Sequence, residues 1–189
     1  KDVMHLWYAL LLKKRVILVG SPAKRVGAGV MALPLLVSPL IGFTDYMSPY
    51  VCLSDLDSPL MKGKYFVVGS TNHLMEVREE WWDCCASFSE GKVKLASHSP
   101  HVKMSIHDQN HIQSVLGGIK DGKSAQWVCD QFEAYTRALL AKLYDSTMNK
   151  KKLTNRVYTA IKMSGVYSKW EINHQESMNQ PKDGTQAVN

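Results

Sequence analysis

An α/β architecture is what this sequence predicts: a mostly parallel sheet flanked by helices, followed by an α-helical part. Three observations predict it. Residues 15–19 (Arg-Val-Ile-Leu-Val) form a short apolar run closed by Gly20, the pattern of a strand buried on both faces. Ser21-Pro22 follows at once and reads as a helix start, with the hydroxyl as cap and the proline in the first turn. Beyond residue 97 the apolar period becomes helical, with Val128, Phe132, Tyr135, Leu139 and Leu143 recurring along one face.

The remaining elements follow in order. Asp2 is placed to cap a helix over 2–14, with Val3, Leu6 and Leu10 on one face and Met4, Trp7 and Leu11 beside them. The helix opened by Ser21 runs to about Leu33. Residues 50–53 and 65–68 read as two further strands, the second closed by Gly69. Residues 81–96 read as a strand pair meeting at Ser89-Glu90-Gly91, after a helix-prone stretch over 76–80. A helix carrying Ile112, Val115 and Leu116 is expected to stop at Gly117. A long helix over 124–148 and a last one over 153–170 complete the set. The polar segment from His174 reads as disordered. The chain thus divides into an α/β lobe over 1–97, a helical region over 98–172 and a tail over 173–189.

Composition bounds the function. Of 189 residues, 45% are hydrophobic and 21% charged, values of an ordinary globular chain that exclude collagen-like, mucin-like and wholly disordered classes. The net charge of +6 is scattered rather than striped, so it does not point to nucleic acid. Cys52, Cys84, Cys85 and Cys129 sit among apolar neighbours, as reduced intracellular thiols do, and favour a cytoplasmic setting. Residues 26–44 carry no charge, but Pro34, Pro39 and Gly42 interrupt them, so a buried helix ending before Pro34 fits better than a membrane span. The opening at Lys1-Asp2 reads as a piece of something longer.

Four motifs carry possible chemistry. Gly117-Gly-Ile-Lys-Asp-Gly-Lys-Ser124 matches the phosphate-binding loop letter for letter, yet the residues before it have helical spacing where a strand is required. Gly27-Ala-Gly-Val-Met-Ala32 matches a dinucleotide fingerprint, but falls mid-helix rather than at the end of the strand. Close helix–sheet packing explains it better. His98, His101, His107 and His111 form a loose cluster without the HExxH or CxxC spacing of a zinc site. The basic runs 13–15 and 150–152 lack the interleaved aromatics of a nucleic-acid face. No catalytic residue, cofactor or metal is assigned, and the residues alone point to a module that binds another protein.

The string Leu6-Trp-Tyr-Ala-Leu-Leu-Leu-Lys-Lys-Arg-Val-Ile-Leu-Val-Gly-Ser21 resembles the opening of the central region of DENN domains. Ala32–Pro39, Tyr50-Val-Cys-Leu53 and Gly63–Gly69 follow in the order of that family, and residues 80–143 are similar in order and spacing to its DENN domain-containing protein 10 subgroup. The resemblance covers roughly residues 3–147, the C-terminal part of such a module, without the longin-like lobe that precedes it there. It implies a guanine nucleotide exchange factor for Rab GTPases in vesicle traffic, peripheral to endosomes, with no covalent chemistry, cofactor or transmembrane segment. Asp45, Tyr46 and Tyr50 are the expected GTPase contacts. A non-catalytic scaffold within an endosomal complex is the alternative.

Overall fold

The computed structural model describes residues 2–40, 42, 44–52, 66–99, 102–149 and 156–179. Its elements run α1 (Asp2–Leu11), β1 (Val16–Val19), α2 (Ala23–Ala32), β2 (Met47–Ser48), β3 (Val67–Ser70), α3 (Leu74–Val77), β4 (Cys84–Ser87), β5 (Lys92–Leu95), α4 (Ile106–Lys120), α5 (Ala125–Met148), α6 (Arg156–Met163) and α7 (Val166–Asn179). Among the described residues, the sheet has the order β2-β3-β1-β4-β5. The first four strands are parallel and β5 pairs antiparallel with β4, so the sheet is mixed.

The fully buried Val-Ile-Leu-Val run lies at the centre of the sheet, as an unbroken apolar strand requires. Its side chains alternate between two cores. Val16 and Leu18, with Val67, Cys84 and Ala86, face the large core beneath α1, α2, α4 and α5. Ile17 and Val19, with Val68 and Cys85, face a smaller one closed by Met75, Trp82 and Val51. The indole N–H of Trp82 donates to the Met75 carbonyl at 2.8 Å, which satisfies the polar edge of a buried ring.

Helical and α/β segments share the large core: Met4, Trp7 and Leu11 of α1 belong to the same cluster as Ile112, Phe132, Leu140 and Ile161. Trp7 Nε1 donates to Thr136 Oγ1 at 3.0 Å. Asp108, only 2% exposed, accepts from the Tyr8 hydroxyl at 2.9 Å and the Tyr135 hydroxyl at 2.7 Å. Its carboxylate also takes the Ser105 N–H at 2.6 Å, while Ser105 Oγ accepts from the Asp108 amide, a reciprocal cap at the start of α4.

The structure corrects several sequence expectations. The Asp2 carboxylate accepts from the Val93 N–H at 3.4 Å. No side chain caps α2, whose cap position is Pro22 rather than Ser21. The second strand is Met47–Ser48 rather than 50–53, because Val51 leaves the ladder after its N–H reaches the Gly69 carbonyl; Leu53 lies outside the described residues. The third strand is Val67–Ser70 and contains Gly69 instead of stopping there; Tyr65 lies outside the described residues. α4 continues through Gly117 to Lys120, because Gly118 fits against the Trp127 ring and the left-handed turn falls to Gly122 at φ +77°. Gly165, at φ +76°, separates α6 from α7, and α7 extends to Asn179 through part of the expected tail. Residues 150–152 and 180–189 lie outside the described residues.

Close approach constrains two glycines in opposite ways. A Cβ on Gly69 would lie 2.4 Å from the Pro49 carbonyl oxygen and 2.8 Å from Val26 Cγ1. A Cβ on Gly117 would meet nothing. Urea unfolding should therefore show Gly69→Ala destabilised by roughly 1–3 kcal/mol through overpacking. Gly117→Ala should be stabilised by about 0.5–1 kcal/mol through helix propensity. Similar midpoints for the two variants would contradict this packing.

Candidate functional site at the carboxyl end of the sheet

Open parallel sheets offer ligands the crevice beyond the carboxyl ends of their strands, where successive connections leave in opposite directions. Here β1 lies between β3 and β4, so that edge is formed by Gly20, Ser70, Ser87 and the turns that follow them. Phe88 lies over the two glycines nearest the crevice: a Cβ on Gly20 or Gly29 would come within 2.7 Å of its atoms. The Arg25 guanidinium stands 5.2 Å from the centre of that ring.

Beyond β3 the chain turns through residues 71–73, where Ser70 Oγ donates to the Val51 carbonyl and Asn72 Oδ1 accepts from the Leu74 N–H. Glu76 projects back over the edge with a side chain only 9% exposed. It accepts from Ser87 Oγ at 2.9 Å and meets His73 Nδ1 at 3.2 Å and Lys94 Nζ at 3.5 Å. Lys94 also reaches Glu90 at 2.9 Å, a hydrogen bond that holds the Glu90 carboxyl below its ordinary range. This lattice fixes the turn and leaves Leu74 and Val77 outside it, 57% and 71% exposed. A shallow, open surface runs past Thr71, Asn72, His73, Leu74 and Val77. Such a surface suits an apolar partner side chain between polar neighbours.

The expected contact residues lie along the edge strand β2. Tyr50 is 49% exposed, and its hydroxyl shares a 3.1 Å hydrogen bond with Thr71 on that surface. Asp45 and Tyr46 lie before β2, towards the amino end of the sheet. Asp45 is exposed; Tyr46 is half-buried near Phe66, with Lys13 Nζ 4.3 Å from the centre of its ring. The structure therefore does not gather the three at one point. The sequence reading missed Leu74 and Val77. Their spacing of three, which puts both on one face of a helical turn, was the available signal.

The motif hits resolve by context. Gly117–Ser124 is a helix end and interhelix turn: Lys123 N–H bonds the Gly118 carbonyl, and Ser124 Oγ accepts the Trp127 N–H. Gly27 and Gly29 lie inside α2. His98 bonds Asp83 at 3.2 Å, His111 stacks on Tyr135 at 4.1 Å, and His101 lies outside the described residues. Among the described residues, no three His, Cys, Asp or Glu side chains converge as metal ligands, and no helix is long and apolar enough to cross a membrane. Burial pushes the Cys84 and Cys85 thiols up to about 12, away from nucleophilic use.

Comparison with known proteins now bears on these surfaces. Residues 1–97 match the family model described as stabilization of polarity axis. The chain belongs to that family. This corrects the DENN family assignment drawn from residues 3–147, because the family model that matches is the polarity-axis one. A DENN domain-containing protein 10 of Dictyostelium discoideum is similar at 25% identity over 100 residues, covering 52% of this chain and 27% of that protein. The chain thus spans about a quarter of the length of the relative it matches.

At the opposite edge of the sheet, Asp83 ties β4 to the start of β1. Its carboxylate accepts from the Arg15 N–H at 2.8 Å and from Arg15 Nε at 3.3 Å. Burial pushes this carboxyl up, and the Arg15 amide and guanidinium outweigh it, holding the group below the usual carboxylate range. A lowered folded-state value contributes stability that is present above the unfolded value and lost as pH falls through the folded one. Asp83→Asn should cost roughly 1.5–3 kcal/mol at pH 7, as for a hydrogen bond to a charged group. That gap should narrow as pH falls from the unfolded carboxylate value of about 3.9 towards the lower folded one. Urea unfolding from pH 7 to pH 3 checks this, and a gap independent of pH would contradict it.

Proposed function

We propose that this chain is a protein-binding part of a larger protein that promotes GDP release from a Rab-type GTPase in endosomal or vesicle traffic. The carrying observation is the similarity to a DENN domain-containing protein over 100 residues of this chain. Leu74, Val77 and Tyr50 supply exposed apolar and aromatic area beside a fixed polar lattice, the mixture that protein partners bury. Asp45 and Tyr46 extend the contact along β2. Exchange of this kind uses differential affinity: the factor binds the nucleotide-free GTPase more tightly, and only that difference speeds release. A shift of the GTPase from 1:99 to 99:1 requires a difference of about 10⁴-fold, or roughly 5.5 kcal/mol. The chain covers 27% of its relative, so the full activity belongs to the longer protein.

A second reading, a scaffold without exchange activity, is favoured by the family's own description as stabilising a polarity axis. The two separate in one assay: release of a fluorescent GDP analogue from a panel of purified Rabs, using the longest natural form containing this chain. Acceleration of at least one Rab, reduced about tenfold by Val77→Asp or Tyr50→Ala as for a contact of roughly 1.4 kcal/mol, is the expected result. Unchanged release across the panel by a folded protein would overturn the exchange reading in favour of the scaffold.

A further inference from the structure

A cavity of about 110 Å³ lies between α1, α4, α5 and α6, away from the carboxyl edge of the sheet. Trp7, Tyr8, Tyr135 and Tyr158 supply four aromatic rings to its wall, and Asp108 supplies a carboxylate. Asp108, Trp7 and Tyr8 are buried, whereas His107, Ala138 and Lys142 are exposed and mark the side open to solvent. The space equals about three or four waters at roughly 30 Å³ each, which is also the scale of one small methylated ammonium group.

The charge at this site is incompletely answered. A carboxylate has about four acceptor positions. Asp108 Oδ2 receives the Tyr8 hydroxyl and the Ser105 N–H, while Oδ1 receives only the Tyr135 hydroxyl. All three donors are neutral, and among the residues whose side chains are described no ion pair includes Asp108. Buried carboxylates are ordinarily matched by a cation, and aromatic walls attract cations through their ring quadrupoles. His107 and Lys142 at the rim have the opposite preference: an anion would suit them, but it would have to enter against Asp108.

We propose that this cavity binds an alkylammonium group, from a partner's lysine side chain or a free amine, with Asp108 as counter-ion and the rings of Trp7, Tyr8, Tyr135 and Tyr158 around it. The ligand's N–H or N–CH₃ groups take the remaining Oδ1 position, and Lys142 is a rim cation that weakens binding. The site stands apart from the GTPase surface and does not depend on that reading.

The test is titration of the full chain with tetramethylammonium chloride and with an acetylated, amidated trimethyllysine, at constant ionic strength. Tert-butanol serves as the neutral control. The readout is the NMR signal of the Trp7 indole N–H, which donates to Thr136 inside this wall. Both cations are expected to shift it saturably, with tert-butanol at least tenfold weaker. Preference for the lysine derivative identifies a protein side chain as the natural source; preference for tetramethylammonium identifies a free amine. Asp108→Asn should weaken binding tenfold or more. Because Asp108 also caps α4, Tyr158→Leu provides a second variant, expected to weaken binding severalfold. Lys142→Gln should tighten it. Equal response to tert-butanol, no response at Trp7, loss of binding in Lys142→Gln, or unchanged binding in Tyr158→Leu would each overturn the proposal.

Discussion

The joint that the rest of the structure depends on is the buried carboxylate of Asp108. One side chain accepts hydroxyls from Tyr8 on α1 and Tyr135 on α5 while closing the cap of its own helix, so three helices are fixed against one charge. Burial and the adjacent carboxylate raise both phenols above their ordinary range and keep them as donors. Burial holds the neighbouring His111 imidazole below its usual range, against the opposing pull of Asp108, so it remains an uncharged plate stacked on Tyr135. Removing a single partner would leave buried polar groups unanswered, which costs more than the net value of the bonds themselves.

From that joint the architecture follows outward. α1 carries Met4, Trp7 and Leu11 into one core with the helices and with Val16 and Leu18 of the central strand. The sheet then presents its carboxyl edge at a place fixed by close backbone approach at Gly69 and by Phe88 over Gly20 and Gly29. Only on such a frame can Leu74 and Val77 stand out as apolar area beside a turn that Glu76, Ser87 and Lys94 hold in place. A partner would meet a preformed surface, which lowers the ordering cost of association.

The sequence revealed what depends on local periodicity. The central strand, the strand pair around Gly91 and the long helix behind Ser124 all carry their signal in consecutive residues. Non-local competition hid the rest. Gly117 looked like a helix stop because its neighbour's role, fitting against Trp127, involves a different helix. Val51 looked like a strand residue because it lies in the run Tyr50-Val-Cys-Leu53, yet the ladder closes at Ser48, and the Val51 N–H and carbonyl are met by Gly69 and the Ser70 hydroxyl. The Ser105–Asp108 cap was readable from its spacing alone, but the tyrosines that meet Asp108 lie 100 and 27 positions away. The family assignment failed because it rested on short apolar strings, whereas the family model that matches residues 1–97 is the polarity-axis one.

The central claim is that the α/β and helical segments form one cooperative unit through α1 and Asp108. Native-state hydrogen exchange in rising urea tests it most directly, comparing the amides of Val16–Val19 in β1 with those of residues 139–143 in α5. The account predicts that both sets exchange through one global opening, with the same free energy and the same urea dependence. Opening of α5 at distinctly lower free energy, while β1 stays protected, would contradict it.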